Sequence, residues 1–127
     1  MNMNKLSLAI LLLSAAAIAP AADNSVLSGK WQVHSVIGGT ENDQACTFIQ
    51  KDNTLTGNCT SDQGTVKITG KVEEKKISWS YESEYNGTPL TAKYSGRLDS
   101  TNKITGAMSV EAFGVEGEFT ATQSKQE

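Results

Sequence analysis

His34 is the only histidine in this 127-residue chain, and Cys46 and Cys59 are its only cysteines. A zinc centre of imidazole and thiolate ligands would need all three of them. Period-two alternation with Trp31, Val33 and Ser35 turns His34 to the opposite, solvent side, so it reads as an exposed structural residue rather than a general base. Glu82 and Glu84 share one face and could resemble the paired carboxylates of acid–base catalysis. That face is the wet one, which makes them a solvated edge. Glu73, Glu74, Lys75 and Lys76 read as a charged turn. No G-x-S-x-G elbow, phosphate loop or calcium loop occurs. The expectation is a protein that is not an enzyme, with no catalytic residue, no metal and no cofactor.

The first residues read as a targeting segment. Lys5 supplies a positive start, residues 6–19 are apolar apart from Ser7 and Ser14, and "APA" at 19–21 offers small residues for cleavage. An apolar run of about 14 residues is shorter than the roughly 20 that span a bilayer. We therefore expect a signal peptide at 1–21, cleavage after Ala21, no membrane anchor afterwards, and a periplasmic or secreted mature chain. Residues 22–28 are expected to be a flexible lead-in, 29–123 a single domain and 124–127 a flexible tail. The balance of 11 basic and 14 acidic residues, without a basic cluster, argues against a nucleic-acid partner.

Beyond the leader no window has helical periodicity; alternation repeats instead. Leu90, Ala92, Tyr94, Gly96 and Leu98 fall on one face, with Thr91, Lys93, Ser95, Arg97 and Asp99 on the other. Val66, Ile68, Gly70 and Val72, and again Val115, Gly117, Phe119 and Ala121, form the same one-sided stripe. This predicts eight strands, at 29–37, 44–51, 54–61, 65–73, 76–85, 88–99, 103–111 and 115–123. The separators are "GGTEND" (38–43), "DN" (52–53), "QG" (63–64), "EK" (74–75), "NG" (86–87) and "STN" (100–102). With no helix to cover the apolar face, consecutive hairpins bury it best by closing on themselves. The fold class is thus all-β, an eight-stranded antiparallel up-and-down β-barrel. Its polar outer face is the reverse of an outer-membrane barrel.

Counting from the turns sets the register. A two-residue turn at Asp52-Asn53 puts Cys46 opposite Cys59 at a non-hydrogen-bonded site, close enough for a disulfide. An oxidising compartment favours that bond. Further turns place Phe48 beside Gly57, Gly57 beside Gly70, Gly70 beside Trp79, Trp79 beside Tyr94, Tyr94 beside Met108, Met108 beside Gly117, and Gly96 beside Gly106. The glycines at the centres of "LTGNC", "ITGKV", "YSGRL", "ITGAM" and "VEGEF" therefore point inward. There they make room for rings or let the wall bend.

The first strand opens "LSGKWQV", a G-x-W at Gly29 and Trp31. The lipocalins begin their first barrel strand this way, and the avidins similarly. The whole mature chain resembles the small bacterial lipocalin-like, or calycin, secreted β-barrel proteins. It is shorter than an ordinary lipocalin and lacks the helix that follows the eighth strand there; the avidin set of tryptophans and polar groups is also missing. A second resemblance is to the secreted inhibitors of serralysin-type metalloproteases, small barrels with one disulfide that insert an N-terminal segment into the protease cleft. Here the segment would be Ala22 to Ser28, although the cysteines are closer together than in that family.

Two functions follow as expectations. One is the binding of a small, mainly apolar ligand inside the barrel by Trp31, Phe48, Trp79, Tyr81, Tyr94, Met108 and Phe119. The alternative is a protein-binding module, such as a periplasmic protease inhibitor that contacts a secreted protein partner through its N-terminal segment.

Overall fold

The computed structural model describes residues 26–100 and 102–124. The leader at 1–21 lies outside the described residues, as does most of the lead-in and of the tail. The strands are β1 (Gly29–Ile37), β2 (Thr40–Lys51), β3 (Thr54–Ser61), β4 (Gly64–Glu73), β5 (Lys76–Tyr85), β6 (Thr88–Ser100), β7 (Lys103–Glu111) and β8 (Val115–Gln123). Each pairs antiparallel with the next, and β8 returns to β1 through Trp31↔Gln123 to Ile37↔Gly117, which closes the barrel. Closure leaves no outer edge strand, so apolar alternation has one enclosed place to go. Trp31, Val33, Cys46, Phe48, Leu55, Ile68, Ile77, Trp79, Ala92, Tyr94, Ile104, Met108, Phe119 and Ala121 are all buried there.

Most of the expected register holds, including Cys46↔Cys59, Phe48↔Gly57, Gly70↔Trp79, Trp79↔Tyr94, Tyr94↔Met108, Met108↔Gly117 and Gly96↔Gly106. Cys46 and Cys59 are joined by a disulfide with Cα atoms 4.0 Å apart. Three turns differ from expectation. The loop expected at 38–43 is a two-residue turn at Gly38 and Gly39, whose φ values of 58° and 85° suit a type I′ hairpin, and β2 begins already at Thr40. The next turn is Asp62-Gln63 rather than Gln63-Gly64, because Gly64 uses its positive φ of 121° after the turn instead of within it. Gly57 therefore lies beside Ile68, and Gly70 beside Leu55, a two-residue slip that keeps every side chain on its expected face. Finally, β6 runs on to Ser100, and the extra residue is a bulge at Asp99, whose carboxylate accepts a 2.8 Å hydrogen bond from the Thr105 hydroxyl.

A Cβ on any of Gly57, Gly70, Gly96, Gly106 or Gly117 would run into a carbonyl oxygen of the neighbouring strand. The wall bends so tightly there that the inward direction points at the next backbone. Ring clearance is secondary: it matters at Gly96, where the Phe119 ring tip would lie 3.0 Å away, whereas at Gly70 the further obstacles are the Cα and Cβ of Trp79.

One end is sealed by residues that the sequence assigns to a flexible lead-in. Leu27 is fully buried, and its carbonyl accepts a 2.9 Å hydrogen bond from the Trp31 indole nitrogen. Its N–H donates to Gln50 Oε1, the Gln50 N–H donates to Ser28 Oγ, and Gln123 Nε2 donates to the Ser28 carbonyl. Leu27 and Ser28 thus belong to the barrel, because an apolar plug and paired backbone groups are both needed where eight strands end together. Just after β8, the Ser124 N–H donates to the Lys30 carbonyl at 2.8 Å.

Gly70→Ala is expected to lower the unfolding free energy by about 1–3 kcal/mol, as overpacking against backbone does. Lys71→Ala, one residue away on the outer face, should change it by less than about 0.5 kcal/mol. Leu27→Ala should cost about 2–5 kcal/mol, the usual range for a buried leucine. Urea unfolding followed by tryptophan fluorescence measures all three.

Candidate ligand-binding site

The aromatic side chains form a ladder from the sealed end upward. Trp31 lies 5.8 Å from Phe48, Phe48 lies 5.0 Å from Trp79, and Trp79 stacks on Tyr94 at 5.0 Å with 9° between the rings. Phe119 meets Trp79 and Tyr94 edge-on, at 5.2 Å from each. Offset stacks and edge contacts of this kind suit the ring quadrupoles. The lower half of the barrel is therefore solid. Trp31, Phe48, Trp79, Tyr94, Met108 and Phe119, expected to line a ligand space, all lie in the buried hydrophobic core, with Tyr81 packed against it.

Space opens in the upper half, through the wall. The β2–β3 ladder begins only at Ala45↔Thr60, so the β2 residues Thr40–Gln44 pair with β1 alone. On the other side, β4 and β5 pair only from Thr69↔Ser80 to Glu73↔Lys76, which leaves Gly64–Ile68 without a partner on β5. The β3–β4 hairpin tip thus stands between two gaps. The gap beside β2 is a cleft of about 740 Å³. By register, Ser35, Ile37, Gln44, Tyr81 and Tyr94 reach it from inside, while Gln32, Asp43, Ala45 and Thr60 flank it from outside. A groove of about 650 Å³ along β5–β7, lined by Glu82, Glu84 and Glu111, lies apart from this interior.

Of the residues expected to bind a ligand, the cleft brings together Tyr81 and Tyr94, whose ring centroids are 6.2 Å apart. Burial pushes the Tyr94 hydroxyl well above the usual tyrosine range, reinforced by Tyr81 and opposed by a hydrogen bond with Ser35. Gln44 Nε2 donates to the Tyr81 hydroxyl over a long 3.4 Å, while Gln44 Oε1 is enclosed and has no partner. The Trp79 indole nitrogen is likewise enclosed and unpartnered. A buried polar atom left so costs about 1–3 kcal/mol. Ser35 and Ile37 share the parity of Trp31, a signal the sequence contains. Gln44 follows from the Gly38-Gly39 turn, once that turn is counted as two residues.

His34 lies on the outer face, as its alternation predicts, with Nδ1 donating to Asp43 Oδ1 at 2.7 Å and Nε2 3.8 Å from Glu41 Oε1. The hydrogen bond to Asp43 raises its pKa above 6.5, helped by the charges of Asp43 and Glu41 and opposed by partial desolvation.

No family model matches the chain, and no curated protein matches it. Among solved structures it is similar to a redesigned β-barrel at 17% identity and a TM-score of 0.65, over 87% of this chain and all of that one. It is also similar to the redesigned barrel mFAP1 bound to DFHBI, at 19% identity and a TM-score of 0.59, over 83% of this chain and all of the other. A third similarity, at 15% identity and a TM-score of 0.56, is to EF1p2_mFAP2b bound to DFHBI, over 83% of this chain and 97% of the other. At such identities the likeness is one of fold: a closed eight-stranded antiparallel barrel.

The His34–Asp43 bond gives a pH expectation with a definite sign. A histidine pKa raised on folding adds stability that is fully present below its unfolded value and is lost as pH rises through the folded one. An NMR titration should find His34 above 6.5, and Asp43→Asn should bring it back toward that value.

Proposed function

We propose that this chain is a secreted, non-enzymatic, lipocalin-like carrier that holds a small molecule in the cleft between β2 and the β3–β4 hairpin. The observation that carries the reading is Gln44 Oε1, an enclosed amide oxygen without a partner beside a cleft of about 740 Å³. Folding rarely tolerates such an atom unless something outside the chain completes it. The volume falls within the roughly 300–1,000 Å³ of small-molecule sites. Tyr81 and Tyr94 supply flat apolar surface on one side and hydroxyls on the other. The redesigned barrels bound to DFHBI offer a precedent for a compound held within this architecture.

The leader motif around Lys5 and "APA" supports export and a periplasmic or extracellular home. The lipocalin-like reading rests on the G-x-W opening together with Trp31 at the sealed end. Non-enzymatic action is favoured by the outward, ion-paired position of His34, away from the cleft interior. The protease-inhibitor alternative is not adopted. Leu27 and Ser28, the last two residues of the segment it would insert, are held in the sealed end of the barrel.

Native mass spectrometry of the protein purified without denaturation from its producing cells tests the proposal. The expected result is a mature chain starting at Ala22 that carries one small molecule. Gln44→Leu, which replaces the orphaned amide by an apolar side chain, should weaken the affinity for that molecule about tenfold, corresponding to roughly 1.4 kcal/mol. A bare mass, with no compound recovered on organic extraction of the same protein, would overturn the carrier reading.

A further inference from the structure

We infer that the cleft selects a small organic cation, drawn in by the carboxylates of the outer lip and held with its ammonium group toward Gln44 and the Tyr81 ring. The inference rests on the carrier reading and adds the chemical class of the ligand. Every charged side chain along the cleft is a carboxylate: Glu41 and Asp43 on the β2 lip, and Asp62 on the hairpin tip facing it. No lysine or arginine lines it. A cation there meets complementary charge from both sides of the opening, and an anion meets repulsion from both.

The interior agrees with the lip. Gln44 Oε1 is an enclosed acceptor with no donor of its own, and an ammonium or amine N–H is what it lacks. The ring face of the partly buried Tyr81 carries negative quadrupole charge, which favours a cation above it. Carboxylates at the lip and π-faces within make a graded path of one sign from solvent to the barrel interior.

His34 competes at this lip. Its ring bridges Asp43 and Glu41 on β2, and Glu118 on β8 shares its outer surface. When the imidazole is protonated it neutralises part of the lip; when it is neutral, the carboxylates are available to a ligand. Cation affinity therefore rises as pH passes upward through the His34 titration, well above the range in which the carboxylates themselves lose their protons.

Three matched probes test the inference on the folded mature protein: phenethylamine, 2-phenylethanol and 3-phenylpropionate. They share a phenyl ring and differ in charge. Titration calorimetry at low ionic strength should show the amine binding about tenfold tighter than the alcohol, with the carboxylate weakest. The preference should shrink as salt is added, because the lip is solvent-exposed. It should also fall toward unity in the Asp43→Asn/Asp62→Asn double variant, whose fold is checked by near-UV circular dichroism. Equal binding of amine and alcohol, tighter binding of the carboxylate, or an unchanged preference in the double variant would overturn the cation inference while leaving the carrier reading standing. Absence of binding by all three, together with a bare native mass, would overturn both.

Discussion

Everything in this molecule follows from closing eight short strands around a small circumference. Once β8 pairs with β1, each strand has a neighbour on both sides and the apolar face has only one interior to enter. Curvature that tight brings adjacent backbones close on the inner side. Gly57, Gly70, Gly96, Gly106 and Gly117 sit at these points, where any side chain would strike the next strand's carbonyl. Glycine weakens an isolated strand, but here its missing Cβ is the condition for closure. The space released lets large rings stack through the lower barrel, so the same constraint that bends the wall also fills the core.

Much of this was legible in the sequence because period-two alternation survives the bending. Knowing which residues face inward needed only parity, and the pairing of Cys46 with Cys59 needed one correctly counted turn. The errors arose where local chemistry and ladder pairing diverge. Glu41, Asn42 and Asp43 lack strand-like character, yet the Gly38-Gly39 turn carries them into β2. Gln63-Gly64 has the composition of a tight turn, but the chain turns one residue earlier. The Asp99 bulge leaves no compositional mark. Leu27 precedes the first alternating residue, so nothing local announces that it plugs the barrel end.

The cleft was harder to foresee, for a related reason. Aromatic residues in a narrow barrel serve as core or as ligand surface, and the choice depends on their height along the axis. Trp79 and Tyr94 are stacked neighbours, yet only Tyr94 reaches the cleft. Height is set by strand stagger, which depends on all the turns together. The missing ladder between Thr40–Gln44 and β3 is likewise a property of unequal hairpins and not of any residue type. The cleft lies where the repeat of the barrel breaks down.

The position of the Cys46–Cys59 bond takes on a second meaning beside that break. It lies one rung below Ala45↔Thr60, the uppermost pair of the β2–β3 ladder, directly under the opening. Hydrogen bonds at a ladder's end are the first to fray, and an unpaired stretch above them gives fraying a place to start. The covalent link acts as a rivet at the root of a tear. It lets the wall stay open at the lip while preventing the seam from running down into the aromatic stack. The bond therefore fixes how far the doorway can extend, so it shapes the opening as well as holding the fold.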